Sequence, residues 1–173
     1  LLGAFLTVVV MTTLGVSFVL VRHYLAERER AEADGARFFS LSLDMLVISS
    51  QDGYFKRLSP AVTQTLGWSV EEMLGRPFLD FVHPDDVAAT TREVERQVAR
   101  GETVLNFENR YRHKDGSWKT LSWRSAPGRD GLMFATARDV TDQRRVEAMR
   151  AEMDRRFRAL FESLPGLYLV LQP

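Results

Sequence analysis

The chain predicts an α+β domain built on one antiparallel sheet, and three features predict it. The first is the stretch Glu102 to Arg138, where apolar-polar alternation folds back at Lys114-Asp115-Gly116. Leu105, Phe107, Asn109 and Tyr111 fall on one side of a strand and Asn106, Glu108, Arg110 and Arg112 on the other, since successive strand residues face opposite ways. After the Asp-Gly turn the alternation resumes with Leu121, Trp123 and Ser125 against Thr120, Ser122 and Arg124. Pro127-Gly128 and Asp130-Gly131 mark a second turn. A third strand then sets Met133, Ala135 and Ala137 against Leu132, Phe134 and Thr136. The second feature is another Asp-Gly hairpin, Met45 to Leu58, turning at Gln51-Asp52-Gly53. The third is an amphipathic helix between them. Pro84 suits a first helical position, Asp85 and Asp86 suit the positive end of the dipole, and Val87, Thr91, Val94 and Val98 predict one buried face that stops at Gly101.

Between the hairpin and that helix the punctuation is local and specific. Pro60 opens a short helical turn ending at Gly67. Ser69 and Glu72 have capping-box spacing, Trp68 and Met73 sit where a hydrophobic staple would clamp the same helix start, and the helix stops at Gly75. Pro77 to Val82 reads as a link, and His83 as a helix-start residue.

The 173 residues carry 23 Lys+Arg, 23 Asp+Glu and no cysteine. One domain of ordinary size plus appendages fits that length. Zero net charge, without a stripe of basic and aromatic residues, argues against nucleic acid as a partner. The absence of cysteine excludes disulfides, thiol chemistry and cysteine metal sites.

Residues 1–21 contain no charged residue. As a helix they would span about 31 Å, which predicts a transmembrane helix. No basic segment precedes them and no small-residue cleavage pattern follows, which disfavours a signal peptide. Arg22, Arg28, Arg30 and Arg37 follow closely. An arginine excess beside a span marks the cytoplasmic side, so the expected location is the inner membrane with everything after residue 21 cytoplasmic. Residues 22–37 form a charged juxtamembrane linker that Asp34-Gly35 is expected to interrupt.

The segment 38–142 resembles a PAS domain. The resemblance is carried by Asp52-Gly53-Tyr54-Phe55-Lys56-Arg57-Leu58-Ser59-Pro60-Ala61, Leu66-Gly67-Trp68-Ser69, Glu72-Met73-Leu74-Gly75-Arg76, Phe81-Val82-His83-Pro84-Asp85-Asp86, Arg112-His113-Lys114-Asp115-Gly116-Ser117 and Arg138-Asp139-Val140-Thr141-Asp142. It implies a five-stranded antiparallel sheet, the first two strands lying beside the last, with helices on one face. It also implies sensing or relay within bacterial histidine kinases and cyclic-dinucleotide enzymes.

Beyond this domain, Thr141 is placed to cap a helix, and residues 143–160 read as a signalling helix. Val146, Met149, Met153 and Leu160 fall in heptad a/d phase. Arg156 interrupts it, and Phe157 and Leu164 fit a register shifted by a stutter. Such helices commonly end PAS domains. Residues 161–173 resemble the start of a second, truncated PAS domain.

Catalytic signatures are absent. His23, His83 and His113 lack the following acidic residue usual at a phospho-accepting histidine. Asp85 and Asp86, adjacent on a helix, point apart and are better explained by the helix dipole than as a carboxylate pair. His113, near a hairpin turn, is expected to be exposed. The parent protein is expected to be a protein-histidine kinase, with no catalytic residue in this chain. Among cofactors, a flavin photoadduct of the LOV type needs a cysteine. Tyr111, Leu121 and Ala137 also fall where such domains place amides. Haem would need a histidine on the long helix, and 87–100 has none. No metal site is expected.

Candidate pocket residues are Phe107, Asn109, Tyr111, Leu121, Trp123, Ser125 and Ala137, with Asn109 expected to find its partners in backbone. The candidate signalling junction is Asp139-Val140-Thr141. Leu132 and Phe134 on the outer sheet face, with Val146, Met149, Met153 and Leu160, predict a parallel homodimer. Two functions stay open. One is a membrane-bound relay passing a signal along the linker helix to the output domain of a sensor histidine kinase. The other is a small-ligand sensor, with a cyclic-dinucleotide cyclase or phosphodiesterase as the alternative parent.

Overall fold

The structure, a computed structural model, describes residues 2–128 and 130–163, except the side chains of residues 2–10, 12–14 and 162–163. It divides into two compact units, residues 1–42 and 43–173.

The first unit is a single helix, α1 (Leu2–Leu41). It runs through Asp34-Gly35 without the expected break. Glycine inside an exposed helix costs only about 1 kcal/mol, which a long run of good helix formers on both sides offsets. Residues 22–37 are therefore helical, and Phe38 and Phe39 lie in the last turn of the same helix. Among the described residues no helix is long and apolar enough to cross a membrane. The expected span at residues 1–21 falls mostly on side chains outside the description.

In the second unit, β1 (Met45–Ser50) and β2 (Phe55–Leu58) form the first hairpin. Short helices α2 (Ala61–Leu66) and α3 (Val70–Leu74) follow, then a 3-10 turn over Phe78–Phe81 and the long helix α4 (Pro84–Arg100). Strands β3 (Val104–Arg112), β4 (Trp118–Pro127) and β5 (Leu132–Asp139) complete the sheet, and α5 (Thr141–Ser163) leaves it. All pairings are antiparallel in the order β2-β1-β5-β4-β3, which sets the first two strands beside the last.

Local chemistry explains the turns. Gly67 ends α2 in the left-handed conformation (φ 75°) and its N–H donates to the Thr63 carbonyl. The His113 ring lies 3.0 Å from where a Cβ would stand, and that close approach together with the positive φ favours glycine there. His113 is consequently half-buried instead of exposed. At α3 the capping box is complete: Glu72 N–H donates to Ser69 Oγ (3.2 Å) and Ser69 N–H to Glu72 Oε2 (2.8 Å). His83 begins α4, its Nδ1 accepting from Asp85 N–H (3.2 Å).

The core lies between the inner sheet face and the helices. Met45, Val47, Tyr111, Leu121 and Ala137 from the sheet meet Val62, Leu66, Met73 and Phe81. Two expected faces shift. A bulge between Val104 and Phe107, paired with Ser125 and Trp123 respectively, turns Val104 inward and leaves Leu105 exposed. One extra residue in a strand reverses the faces beyond it. On α4 the seam is Val87, Thr90, Val94 and Gln97, and Val98 lies outside.

Candidate functional site

The inner faces of the sheet and α4 border a partly open cavity of about 70 Å³, several times the ~10–15 Å³ that one water requires. Of the residues expected to line it, Phe107, Asn109, Tyr111, Trp123 and Ser125 do. Leu121 and Ala137 do not. They are 0% and 1% exposed and packed into the core nearer the other end of the strands. Alternation gives the face of a strand but not the position along it where packing leaves room. Ala135 and Met133 take part instead, with Val47 and Ser49 of β1, Phe55 and Phe78, and Thr90, Glu93, Val94 and Gln97 of α4.

A polar chain crosses one wall. Trp123 Nε1 donates to Asn109 Oδ1 (2.7 Å), Asn109 Nδ2 to Thr90 Oγ1 (3.0 Å), and Thr90 Oγ1 to the Asp86 carbonyl (2.8 Å). Asn109 thus finds side chains, not backbone, as partners, and joins β3, β4 and α4. Ser125 Oγ donates to Gln97 Oε1 (2.9 Å). Gln97 is 3% exposed, and its Nε2 is buried without a partner. Burial pushes the Tyr111 phenol well above its ordinary range, so it is neutral near neutral pH. Thr90 and Gln97 escaped sequence reasoning because polar residues on a helix suggest its solvated face. Their spacing from Val87 and Val94, three, four and three, was the available signal.

Asp86 does more than complement the helix dipole. Its carboxylate accepts from Arg110 Nη2 (2.7 Å), Nε (2.9 Å) and backbone N–H (2.8 Å), clamping the start of α4 to β3. Those hydrogen bonds hold its carboxyl below the usual range.

At the sheet's exit, Asp139 and Thr141 form a small network. Thr141 N–H donates to Asp139 Oδ1 (2.8 Å), the two side chains also hydrogen-bond, and Lys119 Nζ pairs with Asp139 Oδ2 (2.9 Å). Burial alone would raise the Asp139 pKa, but the bonds from Thr141 and Lys119 outweigh it and hold it low. Asp139 therefore takes the capping part expected of Thr141. The Thr141 hydroxyl instead accepts from Thr120 N–H (2.9 Å), fastening the helix start to β4, and Val140 N–H donates to the Thr120 carbonyl (2.9 Å). A turn later Arg144 pairs with Glu108 of β3.

The expected dimer residues lie on two surfaces. Phe134 is 47% exposed on the outer sheet face and Leu132 is half-buried beside it. Along α5, Val146, Met149, Met153 and Leu160 are each 64–71% exposed. Of residues 161–173, expected to begin a second domain, residues 161–163 continue α5, and residues 164–173 lie outside the described residues, Leu164 of the shifted heptad register among them.

A sequence profile described as PAS fold matches residues 55–131. Residues 55–131 are thus a PAS domain match, and the five-stranded antiparallel sheet has the PAS fold. Among curated proteins, the White collar 2 protein of Neurospora crassa is 35% identical over 71 residues, 41% of this chain and 13% of that protein. The probable diguanylate cyclase DgcE of Escherichia coli (strain K12) is 22% identical over 149 residues, 83% of this chain. The chain spans 13% of the length of each of these relatives. Among solved structures, a domain of a sensory box sensor histidine kinase/response regulator from Geobacter sulfurreducens shares the fold. Its TM-score is 0.55 at 22% identity, covering 62% of this chain and 94% of that one. PAS domains of signalling proteins, with histidine kinases and diguanylate cyclases both represented, are thus what this domain is similar to.

Proposed function

We propose that this chain is the sensory and relay module of a membrane-bound bacterial sensor histidine kinase. A small molecule in the PAS cavity biases the Asp139-Val140-Thr141 junction, and α5 carries that bias to an output domain. The observation that carries this reading is the cavity itself. It is lined by apolar residues with a few convergent polar groups, one of them a buried, unpartnered amide, which is the composition of a ligand site. The strand β4 supplies both Trp123 and Ser125 to the cavity and Thr120 to the junction, so one strand is shared by sensor and exit.

In this reading residues 1–21 span the inner membrane, the arginines after them hold the rest in the cytoplasm, and the module works as a parallel homodimer. The outer-face residues Leu132 and Phe134 and the apolar stripe of α5 supply its contacts. Residues 161–173 begin a second PAS domain. The alternative parent is a cyclic-dinucleotide cyclase, which the alignment of DgcE over 83% of this chain favours.

Mass spectrometry of organic extracts from the purified, membrane-reconstituted chain tests the sensing step. A compound released in near-stoichiometric amount, and absent from a variant with Ser125→Phe filling the cavity, is expected. Extracts without any such compound would leave the module as a relay only. For topology, a reporter fused after residue 37 should behave as cytoplasmic, and a periplasmic signal would overturn the localisation.

A further inference from the structure

We infer that the cavity selects a small uncharged molecule bearing a hydrogen-bond acceptor, a compact ketone, aldehyde, ester or amide, and that Gln97 is the residue that reads the acceptor. The inference rests on the ligand-binding reading above and names the chemistry of its ligand. Gln97 lines the cavity and is 3% exposed, and its two amide ends are treated differently by the fold. Oε1 accepts from Ser125 Oγ at 2.9 Å, whereas Nε2 has no partner. A buried donor left unpaired is destabilising, so a ligand that supplies an acceptor there removes a penalty built into the protein. The terminal torsion of a glutamine is broad, and a turn about it is what would present Nε2 to an acceptor in the cavity.

Charge narrows the class further. The only ionisable carboxylate on the cavity wall among the described residues is Glu93, and no Lys or Arg lines it. A carboxylate ligand would leave water for a site with a negative neighbour and no cation, which is strongly unfavourable. A cationic amine would bring more donors to an unpaired donor, and Glu93 is already paired with Arg96. A neutral acceptor is the species that satisfies Nε2 without either conflict. Asn109 is held by Trp123 through Oδ1 and by Thr90 through Nδ2, and its position fixes the wall. At about 70 Å³ the empty cavity takes a molecule of only a few heavy atoms. Affinities near the millimolar range follow from the bound on binding per atom.

The test uses the full chain in lipid nanodiscs, uniformly labelled with 15N, and three probes of similar size: 2-butanone, 1-chloropropane and propionate. Saturable movement of the Gln97 side-chain NH2 resonance with 2-butanone is expected, at a Kd roughly ten-fold below those of the other two, the size of one satisfied hydrogen bond. In Gln97→Leu, shown folded by its melting temperature, 2-butanone and 1-chloropropane should bind within about two-fold of each other. Equal binding of all three probes to the wild type, or binding of 2-butanone that moves cavity resonances but not that of Gln97, would overturn the inference while leaving a ligand site. If no probe perturbs the resonance of Gln97 or of any cavity residue, the ligand-binding reading falls with it.

Discussion

Asp86 illustrates how much one side chain contributes when it faces two elements. It sits in the first turn of α4, where any carboxylate is favoured by the dipole, but it also takes three hydrogen bonds from Arg110. Its folded-state pKa is lowered, so the stabilisation is present above the unfolded value, 3.8, and is lost as pH falls through the folded one. Asp86→Asn should therefore cost about 1–3 kcal/mol at pH 7. Its deficit relative to wild type should shrink as pH drops below about 4, and urea titrations at both pH values check this. The sequence showed Asp86 as a helix-start residue. It could not show Arg110 beside it, because the contact depends on how α4 docks on β3. The same holds for Leu121, whose inward direction was legible while its distance from the cavity was not. Leu121→Ala, at a site with 0% exposure, should cost about 2–5 kcal/mol in thermal or chemical unfolding and leave probe binding in the cavity largely intact.

Among the elements, the turns and caps were the most legible, because each is decided within a few residues. The capping box at Ser69, the hairpins at Asp52-Gly53 and Asp115-Gly116, and Gly101 after α4 all stand as their local chemistry requires. Faces were less legible where a bulge or a polar seam intervened, as at Leu105 and along Thr90 and Gln97. The junction before α5 changes the meaning of one test. Thr141→Ala removes the acceptor for Thr120 N–H rather than a helix cap, and should cost about 1 kcal/mol, a fall of a few degrees in melting temperature. Asp139→Ala should cost at least as much, since it removes the acceptor for Thr141 N–H and the partner of Lys119. If the junction relays signal, both folded variants should uncouple output of the parent protein from its stimulus. Unchanged response in both would reduce it to a structural fastening. For α5 itself, residues 23–173 should sediment as a dimer at tens of micromolar, and Met149→Glu with Met153→Glu should shift them to monomer. A wild-type monomer at that concentration would contradict the proposed stripe.

For the molecule as a whole, one strand, β4, joins the cavity to the exit. Trp123 and Ser125 face the cavity, and the Thr120 backbone of the same strand accepts from Val140 N–H at its carbonyl and donates its N–H to the Thr141 hydroxyl. A packed sheet transmits a shift in strand position more readily than it absorbs it, since interiors are close-packed. The five-stranded order and the family resemblance were readable from the sequence alone. The coupling was not, because it depends on which residues of β4 meet which neighbours. The most direct measurement is hydrogen exchange at the amides of Thr120, Val140 and Thr141 in the full chain in nanodiscs, with and without saturating 2-butanone. Each amide is held by a bond at the junction, so its protection reports the junction's local opening. The account predicts a several-fold change in protection at these three positions when the cavity is filled. Protection that changes only around the cavity, with all three junction amides unaffected, would contradict it.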